Sequence, residues 1–333
     1  MQIDFINVVF TVFTLVALAV PGYILAKTGL VGQKATNALS NIVLYVCQPA
    51  LVFMSFQGKE FSPKLGTNML IMAGIAVVIH LIMAVIMCVL VQNKDNDAKL
   101  NCLRYSAIFG NCGFMGLPLI QSLFQDRPEM GEVIIYCAVM LAVFNVLNWT
   151  LGVYLISKDK KEISIKKILT NSTIIAVILG FIVFVIAKKP LVDLCAEGST
   201  GDLIITKFIN SINLLGNTVT PLSLMVIGIK LANVNLKTLF VNKVAYVSSF
   251  FKLVVASIVA MLAVAFLPIA PTIKYSVFFL FSMPQATSTT LYAVKFNSDA
   301  DNASVMVLLG SILSMISIPI MFLMFTGVFG SFI

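Results

Sequence analysis

The chain has 333 residues, of which 59% are hydrophobic and 11% are charged, and its formal net charge is +8. Soluble globular domains carry about 25% charged residues, so this composition excludes an ordinary soluble protein and predicts an all-α polytopic membrane protein. The basic residues lie in short loops between apolar runs, where positive charge sets membrane orientation. We therefore expect a lipid bilayer, and no nucleic acid, as the surroundings of this chain.

The first apolar run, 5–27, is predicted to be a membrane helix. Ala17-Leu18-Ala19 resembles the cleavage site of a signal peptide, but no positive charge precedes the run, and the run continues beyond these residues. A membrane helix needs about 20 apolar residues, and ten such segments follow one another along the chain. The ten predicted spans are 5–27, 36–57, 66–91, 100–124, 131–157, 167–188, 204–231, 238–267, 272–296 and 301–330.

The distribution of Lys and Arg predicts the orientation of these spans. With the N-terminus outside, the cytoplasmic loops hold 14 of the 22 basic residues and the opposite loops hold 7. The positive-inside rule then predicts that both termini lie outside the plasma (inner) membrane and that the basic linker 158–166 is cytoplasmic. This linker separates a five-helix unit, 1–157, from a second one, 167–333, which enters the membrane in the opposite direction.

Matching polar and proline positions favour an inverted repeat of these two units. Asn41 precedes Pro49 by eight residues in the second span, and Asn213 precedes Pro221 by eight residues in the seventh. The predicted fold is therefore ten transmembrane helices arranged as two inverted five-helix repeats.

The fourth and ninth spans contain the least regular stretches of the chain. Glycine weakens a helix and proline removes a backbone donor, so both spans are predicted to be broken. In lipid, a broken helix survives only where protein or a water-filled cavity satisfies its backbone groups. Two interrupted spans in corresponding halves point to a transporter binding site.

Each broken span is expected to restart as a half-helix near its proline, Pro118 or Pro284, because proline suits the first helical position. The free N–H groups and the helix dipole favour a bound anion there. The competing interpretation is packing, since glycine and proline are common in membrane helices. The symmetric placement of the two stretches favours the site. Its predicted binding residues are Asn111, Gly113, Gly116, Pro118, Ser282, Pro284, Gln285 and Thr287.

A few isolated polar residues lie inside other spans. His80 is a candidate for proton coupling or a hydrogen-bonded structural residue. Lys252 either attracts an anion from a cavity wall or extends its stem to the membrane surface, as expected for Lys230. Asn145 either contacts the substrate or ties helices together.

Several functions are not predicted. The motifs of soluble enzymes are absent from the sequence, and no nucleophile and base pair is visible. The six cysteines form no CxxC pair and are read mostly as small core residues, not as metal ligands. We expect no enzyme activity, no catalytic residue, no cofactor and no metal site.

Five stretches resemble the auxin efflux carrier family, which includes bacterial carboxylate permeases. They cover both halves of the chain in matching order. These stretches are NIVLYVCQPALVF (41–53), GNCGFMGLPL (110–119), TPLSLMVIGIKLA (220–232), SMPQATSTTLYAVKF (282–296) and LLGSILSMISIPIMFLM (308–324).

The resemblance implies a scaffold made of spans 1, 2, 6 and 7, which also forms a homodimer, and a transport unit made of spans 3–5 and 8–10. The unit would move like an elevator, with the fourth and ninth spans crossing at Pro118 and Pro284. Asn111 matches the family's crossover asparagine. The ninth span departs from the pattern, because Ser282 and Gln285 stand near its proline where an asparagine is expected.

These observations lead to a secondary transporter of a small organic anion, such as malate or a related mono- or dicarboxylate. The coupling ion, H⁺ or Na⁺, stays open. One alternative is a sodium-coupled symporter of a larger amphipathic acid, against which the lack of carboxylates within the spans argues mildly. Another is a membrane receptor domain that binds such a ligand without moving it.

Overall fold

The computed structural model describes residues 3–93, 95–234 and 236–329, and within these ranges the chain is helical with one isolated β-bridge. The principal helices are α1 (Phe5–Lys27), α2 (Lys34–Ser55), α3 (Pro63–Leu90), α4 (Ala98–Ile108), α5 (Cys112–Phe124), α6 (Met130–Ser157), α7 (Ser172–Ala187), α8 (Thr200–Ala232), α9 (Lys243–Ala265), α10 (Pro271–Phe281), α11 (Ser288–Lys295) and α12 (Ala300–Phe329). Short helical turns lie at Lys160–Glu162, Ile165–Leu169, Leu191–Asp193 and Leu236–Val241.

Eight helices in the described part of the chain are long and apolar enough to cross a membrane. They coincide, within a few residues at each end, with eight of the ten predicted spans. The other two predicted spans, 100–124 and 272–296, contain the interrupted pairs α4–α5 and α10–α11. Neither pair is a single helix of spanning length, as expected from their glycine and proline content.

Helix α1 packs along the second half of α8, and glycines make this approach close. A Cβ atom on Gly22 would lie 2.1 Å from the carbonyl oxygen of Met225, and one on Gly228 would lie 1.9 Å from that of Ala19. Small residues allow helix backbones to approach in this way where lipid offers no hydrophobic driving force for association. Helix α2 packs beside this pair, against α7 and the first half of α8.

The interrupted helices lie inside the molecule. Every residue of α10 after Pro271 is buried, and α4 is buried from Asn101 to its end. Helices α3, α6, α9 and α12 pack around these two, so the breaks are screened from lipid by other helices.

The contact between α1 and α8 generates the first prediction. Gly228→Ala forces a methyl group against the backbone of α1, and overpacking of this kind costs about 1–3 kcal/mol. We expect a lower melting temperature in detergent. Gly74→Ala is the matched control, because a Cβ atom there meets nothing within 4 Å. Equal melting temperatures for the two variants would contradict the packing argument.

Candidate functional site

The first break lies between α4 and α5. Helix α4 ends at Ile108, Phe109 is extended, and α5 begins at Cys112 with a π-helical turn, Cys112–Gly116. The carbonyl of Asn111 accepts from the amides of Met115 and Gly116 at 3.1 and 3.0 Å. The helix thus restarts directly after Asn111.

The α-helical part of α5 begins at Leu117 with Pro118 in its first turn, in agreement with the predicted start near the proline, and the π-helical turn Cys112–Gly116 precedes it. Pro118 lies inside the continuous helix α5, six residues after Cys112. Proline has no N–H group, so Pro118 cannot donate to the carbonyl of Phe114, four residues earlier. The hydroxyl of Ser223 of α8 donates to this carbonyl, at 3.0 Å. A hydroxyl from a neighbouring helix therefore makes proline tolerable at this position.

The second break lies between α10 and α11. Helix α10 ends at Phe281, and residues 282–287 run outside helical structure before α11 begins at Ser288. Pro284 therefore lies within the break, four residues before the helix restarts.

The two breaks pair with each other through their backbones. The amide of Asn111 donates to the carbonyl of Pro284 at 2.7 Å, and the amide of Ala286 donates to that of Phe109 at 2.9 Å. Gly110 and Gln285 face each other in an antiparallel bridge. This register does not use the nitrogen of residue 284, so proline fits there.

Lys252 of α9 lies behind the paired breaks, buried at 1% exposure. Its Nζ donates to the carbonyl of Phe281, the last residue of α10, at 3.1 Å. A Cβ atom on Gly110 would lie 2.8 Å from Cε and 2.9 Å from Nζ of this lysine. The ammonium group thus lies where α4 and α10 both end, and helix C-termini favour a cation. Neither role expected for Lys252 matches this position.

A polar cavity of about 440 Å³ opens on the other side of the breaks. Its wall is built by α2, α6, the beginnings of α5, α7 and α11, and the end of α8. The polar and charged residues in the wall are Asn37, Ser40, Asn41, Tyr45, Gln48, Asn111, Asn145, Asn148, Trp149, Asn171, Ser172, Thr173, Lys230, Thr287, Ser288 and Tyr292.

The first residues of three helices lie in this wall. Helix α7 is capped by Asn171, whose side-chain oxygen accepts from the amides of Thr173 and Ile174. Within the described residues, no side chain caps the first turn of α5 or of α11, although the amide of Cys112 donates to the carbonyl of Gly110 and that of Thr289 donates to the carbonyl of Ala286. The leading amides of an uncapped helix have no intrahelical acceptor and carry partial positive charge.

Two buried amide side chains of the wall have atoms without a partner. Asn111 is 3% exposed and its Nδ2 makes no hydrogen bond, and Gln48 is 4% exposed with an unbonded Oε1. Gln48 lies against the beginning of α5, because a Cβ atom on Gly113 would be 3.1 Å from its amide. Buried polar groups are normally hydrogen-bonded, so a donor and an acceptor beside the cavity have unused hydrogen-bonding capacity.

Four of the nine residues predicted to bind substrate line the cavity, namely Asn111, Gly113, Asn145 and Thr287. Asn145 also ties helices together, since its Nδ2 donates to the carbonyl of Leu141 and its oxygen accepts from Asn171. Asn145 therefore lies in the cavity wall and also joins α6 to α7.

The other five predicted residues lie outside the cavity wall. Gln285 is fully buried and donates to the hydroxyls of Ser248 and Ser249 of α9, at 3.0 and 3.2 Å. Gly116 packs against α10, where a Cβ atom would meet Leu280 at 2.9 Å. The remaining three are Pro118, within α5, and Ser282 and Pro284, within the second break.

His80 also lies behind the breaks. Its Nδ1 is 2.7 Å from the carbonyl oxygen of Ala76, and because a carbonyl can only accept, this nitrogen carries a proton. The ring packs against Phe109 and Phe281, with centroids 5.6 and 4.9 Å away. His80 therefore lies among aromatic rings and outside the cavity wall.

From the sequence, polar groups of the second span were expected beside the substrate without being named, and the structure identifies a stripe of them on α2. Asn37, Asn41, Tyr45 and Gln48 recur at intervals of three or four residues, which places them on one helix face. Their spacing could have predicted a polar wall. Lys230 was expected at the membrane surface, and the structure places it in the cavity wall instead.

A polar cavity inside a bundle of apolar helices long enough to cross a membrane is the architecture of an integral membrane protein with an internal site. Residues 7–322 match the membrane transport protein family. The chain belongs to this family, and the match confirms the resemblance to auxin efflux carriers. It is similar to an uncharacterized transporter of Methanothermobacter thermautotrophicus, at 23% identity over 312 residues that cover 93% of this chain and 96% of the relative.

The position of Lys252 yields the second prediction. Lys252→Met removes the donor to the carbonyl of Phe281, and hydrogen bonds to charged groups contribute about 1.5–3 kcal/mol. We expect amide hydrogen exchange in residues 282–287 to accelerate roughly tenfold to a hundredfold. Mass spectrometry of exchanged peptides measures this rate, with Lys243→Gln at the surface as control. Unchanged exchange in Lys252→Met would show that the ammonium does not hold the break.

Proposed function

We propose that this protein is a secondary active transporter of a small organic anion, such as malate or a related mono- or dicarboxylate. The anion binds in the cavity against the first turn of α5. The observation that carries this proposal is the uncapped beginning of α5, with the unbonded Nδ2 of Asn111 beside it. A carboxylate would accept from these donors and complete their hydrogen bonding.

The charge of the wall also supports an anion. Its lining residues include Lys230 and no Asp or Glu. Two further lysines contact Trp149 of the wall. The Nζ atoms of Lys295 and Lys167 lie 4.8 and 5.8 Å from the centre of its ring. A cleft lined by one sign of charge concentrates ligands of the opposite sign.

The proposed mechanism is alternating access by an elevator-like movement. We assign α1, α2, α7 and α8 to the scaffold and the remaining principal helices to the moving unit. The contacts of α1 with α8 and of α2 with α7 support the first group, and those of α9 with α10 and α12 support the second. The cavity lies between these groups.

The proposed topology is ten spans in two inverted repeats, 1–157 and 167–333, with both termini outside the plasma membrane. Asn37, Asn171 and Lys230 lie in the cavity wall beside the basic loops. If those loops lie in the cytoplasm, the cavity is beside the cytoplasmic loops, and this position supports the proposal of an inward-facing state. A homodimer formed through the scaffold is proposed from the family resemblance.

A second candidate is sodium-coupled transport of a larger amphipathic acid. The cavity volume of about 440 Å³ favours it, because this space exceeds the volume of a small carboxylate. The position of Lys252 argues against sodium coupling, since its ammonium already supplies positive charge at the C-terminus of α10.

The proposed site leads to the third prediction. Asn111→Ala removes a side-chain N–H group that would donate to the carboxylate of the substrate. Because a hydrogen bond to a charged group contributes about 1.5–3 kcal/mol, we expect the half-saturating concentration to rise about tenfold or more. Counterflow of radiolabelled malate in proteoliposomes measures it. Ser317→Ala is a matched control, because its hydroxyl is also buried and unbonded but lies outside the cavity wall. Unchanged affinity in Asn111→Ala would remove this residue from the site.

The contacts of His80 lead to the fourth prediction. Because its ring is enclosed by Phe109 and Phe281 and lies outside the cavity wall, we expect His80→Gln to keep the wild-type response of flux to a pH gradient. Flux is measured with and without pH and sodium gradients, which also identifies the coupling ion. Loss of a pH response that the wild type shows would assign proton coupling to His80.

A further inference from the structure

The end of α8 places an ammonium group in the cavity wall. Lys230 is in the last turn of this helix, among lining residues that are otherwise amides, hydroxyls, aromatic rings and apolar groups. In the ranges that the structure describes, no carboxylate lies within ion-pair distance of its Nζ, and its charge has no counter-ion from the protein. A partly desolvated cation is costly without an anionic partner.

The helix geometry relates Lys230 to the beginning of α5. Val226, one turn earlier on α8, packs in a buried cluster with Phe114 of the first turn of α5 and Val43 of α2. Four residues of helix span about 6 Å, so the backbone of Lys230 lies about that distance along α8 from the level of Phe114. The flexible stem of lysine covers the remaining separation.

We propose that Lys230 is a specificity residue that binds the second carboxylate of a dicarboxylate whose first carboxylate lies at the amides of α5. This inference rests on the proposed function of the cavity and narrows its substrate class. A dicarboxylate supplies an acceptor for the uncapped helix end and a counter-ion for the lysine within one short molecule. A monocarboxylate satisfies the helix end and leaves the ammonium without a partner.

The test compares two acids in proteoliposomes, a dicarboxylate (malate) and a monocarboxylate (lactate). We expect Lys230→Gln to raise the half-saturating concentration of malate about tenfold or more, because a charge-assisted contact is lost. The value for lactate should stay within about twofold of the wild type. Lys230→Arg should keep the preference for malate, and Lys243→Gln, outside the cavity wall, should change neither acid.

Three results would overturn the assignment. The first is an equal loss for both acids in Lys230→Gln, which would indicate general attraction of anions or a structural role. The second is unchanged malate affinity. The third is the absence of any preference for malate in the wild type, a measurement that does not depend on a variant folding. If the wild type transports neither acid but carries another ligand, the proposed function itself fails, and the two failures are distinguishable.

Discussion

Two backbone hydrogen bonds between the broken helices are the constraint on which the rest of the structure depends. An unsatisfied backbone group in an apolar interior costs several kcal/mol, and each break exposes such groups. Asn111 bonds to Pro284 and Ala286 bonds to Phe109, so each break supplies the partners that the other lacks. Each of these two hydrogen bonds needs one residue from each break. The two irregular stretches therefore meet inside the bundle, where their backbone groups bond to each other.

The paired breaks also separate the charges of the helix ends. Helices α4 and α10 end where the Lys252 ammonium lies, on the side of the carbonyl of Phe281. Helices α5 and α11 begin in the wall of the cavity, with no side-chain cap. The negative ends therefore have a cation from the protein, whereas the positive ends are left to the cavity. Under the proposed function, this asymmetry would favour an anion in the cavity without an arginine in its wall.

The rest of the cavity wall is rigidly tied. The hydroxyl of Tyr105 on α4 donates to Asn148 of α6, and it also contacts Ser288 of α11. These contacts join both broken helices to α6 through buried groups. A moving unit that carries the site through a membrane needs such internal stiffness, because the binding geometry must survive the movement. In the proposed elevator mechanism, the polar face of α2 and Lys230 of α8 belong to the scaffold, and they would exchange contacts with the anion as the other group moves.

The sequence by itself determined the class of protein, because long apolar runs and sparse charge permit little else. It also located both breaks, since glycine and proline act on the backbone locally. Tertiary structure alone decided that α5 starts at Cys112, because the hydroxyl that makes Pro118 tolerable comes from Ser223 on a distant helix. It likewise turned Gln285 towards α9 and Lys230 into the cavity. The direction in which a side chain points depends on which helices become neighbours, and the local sequence does not determine those neighbours.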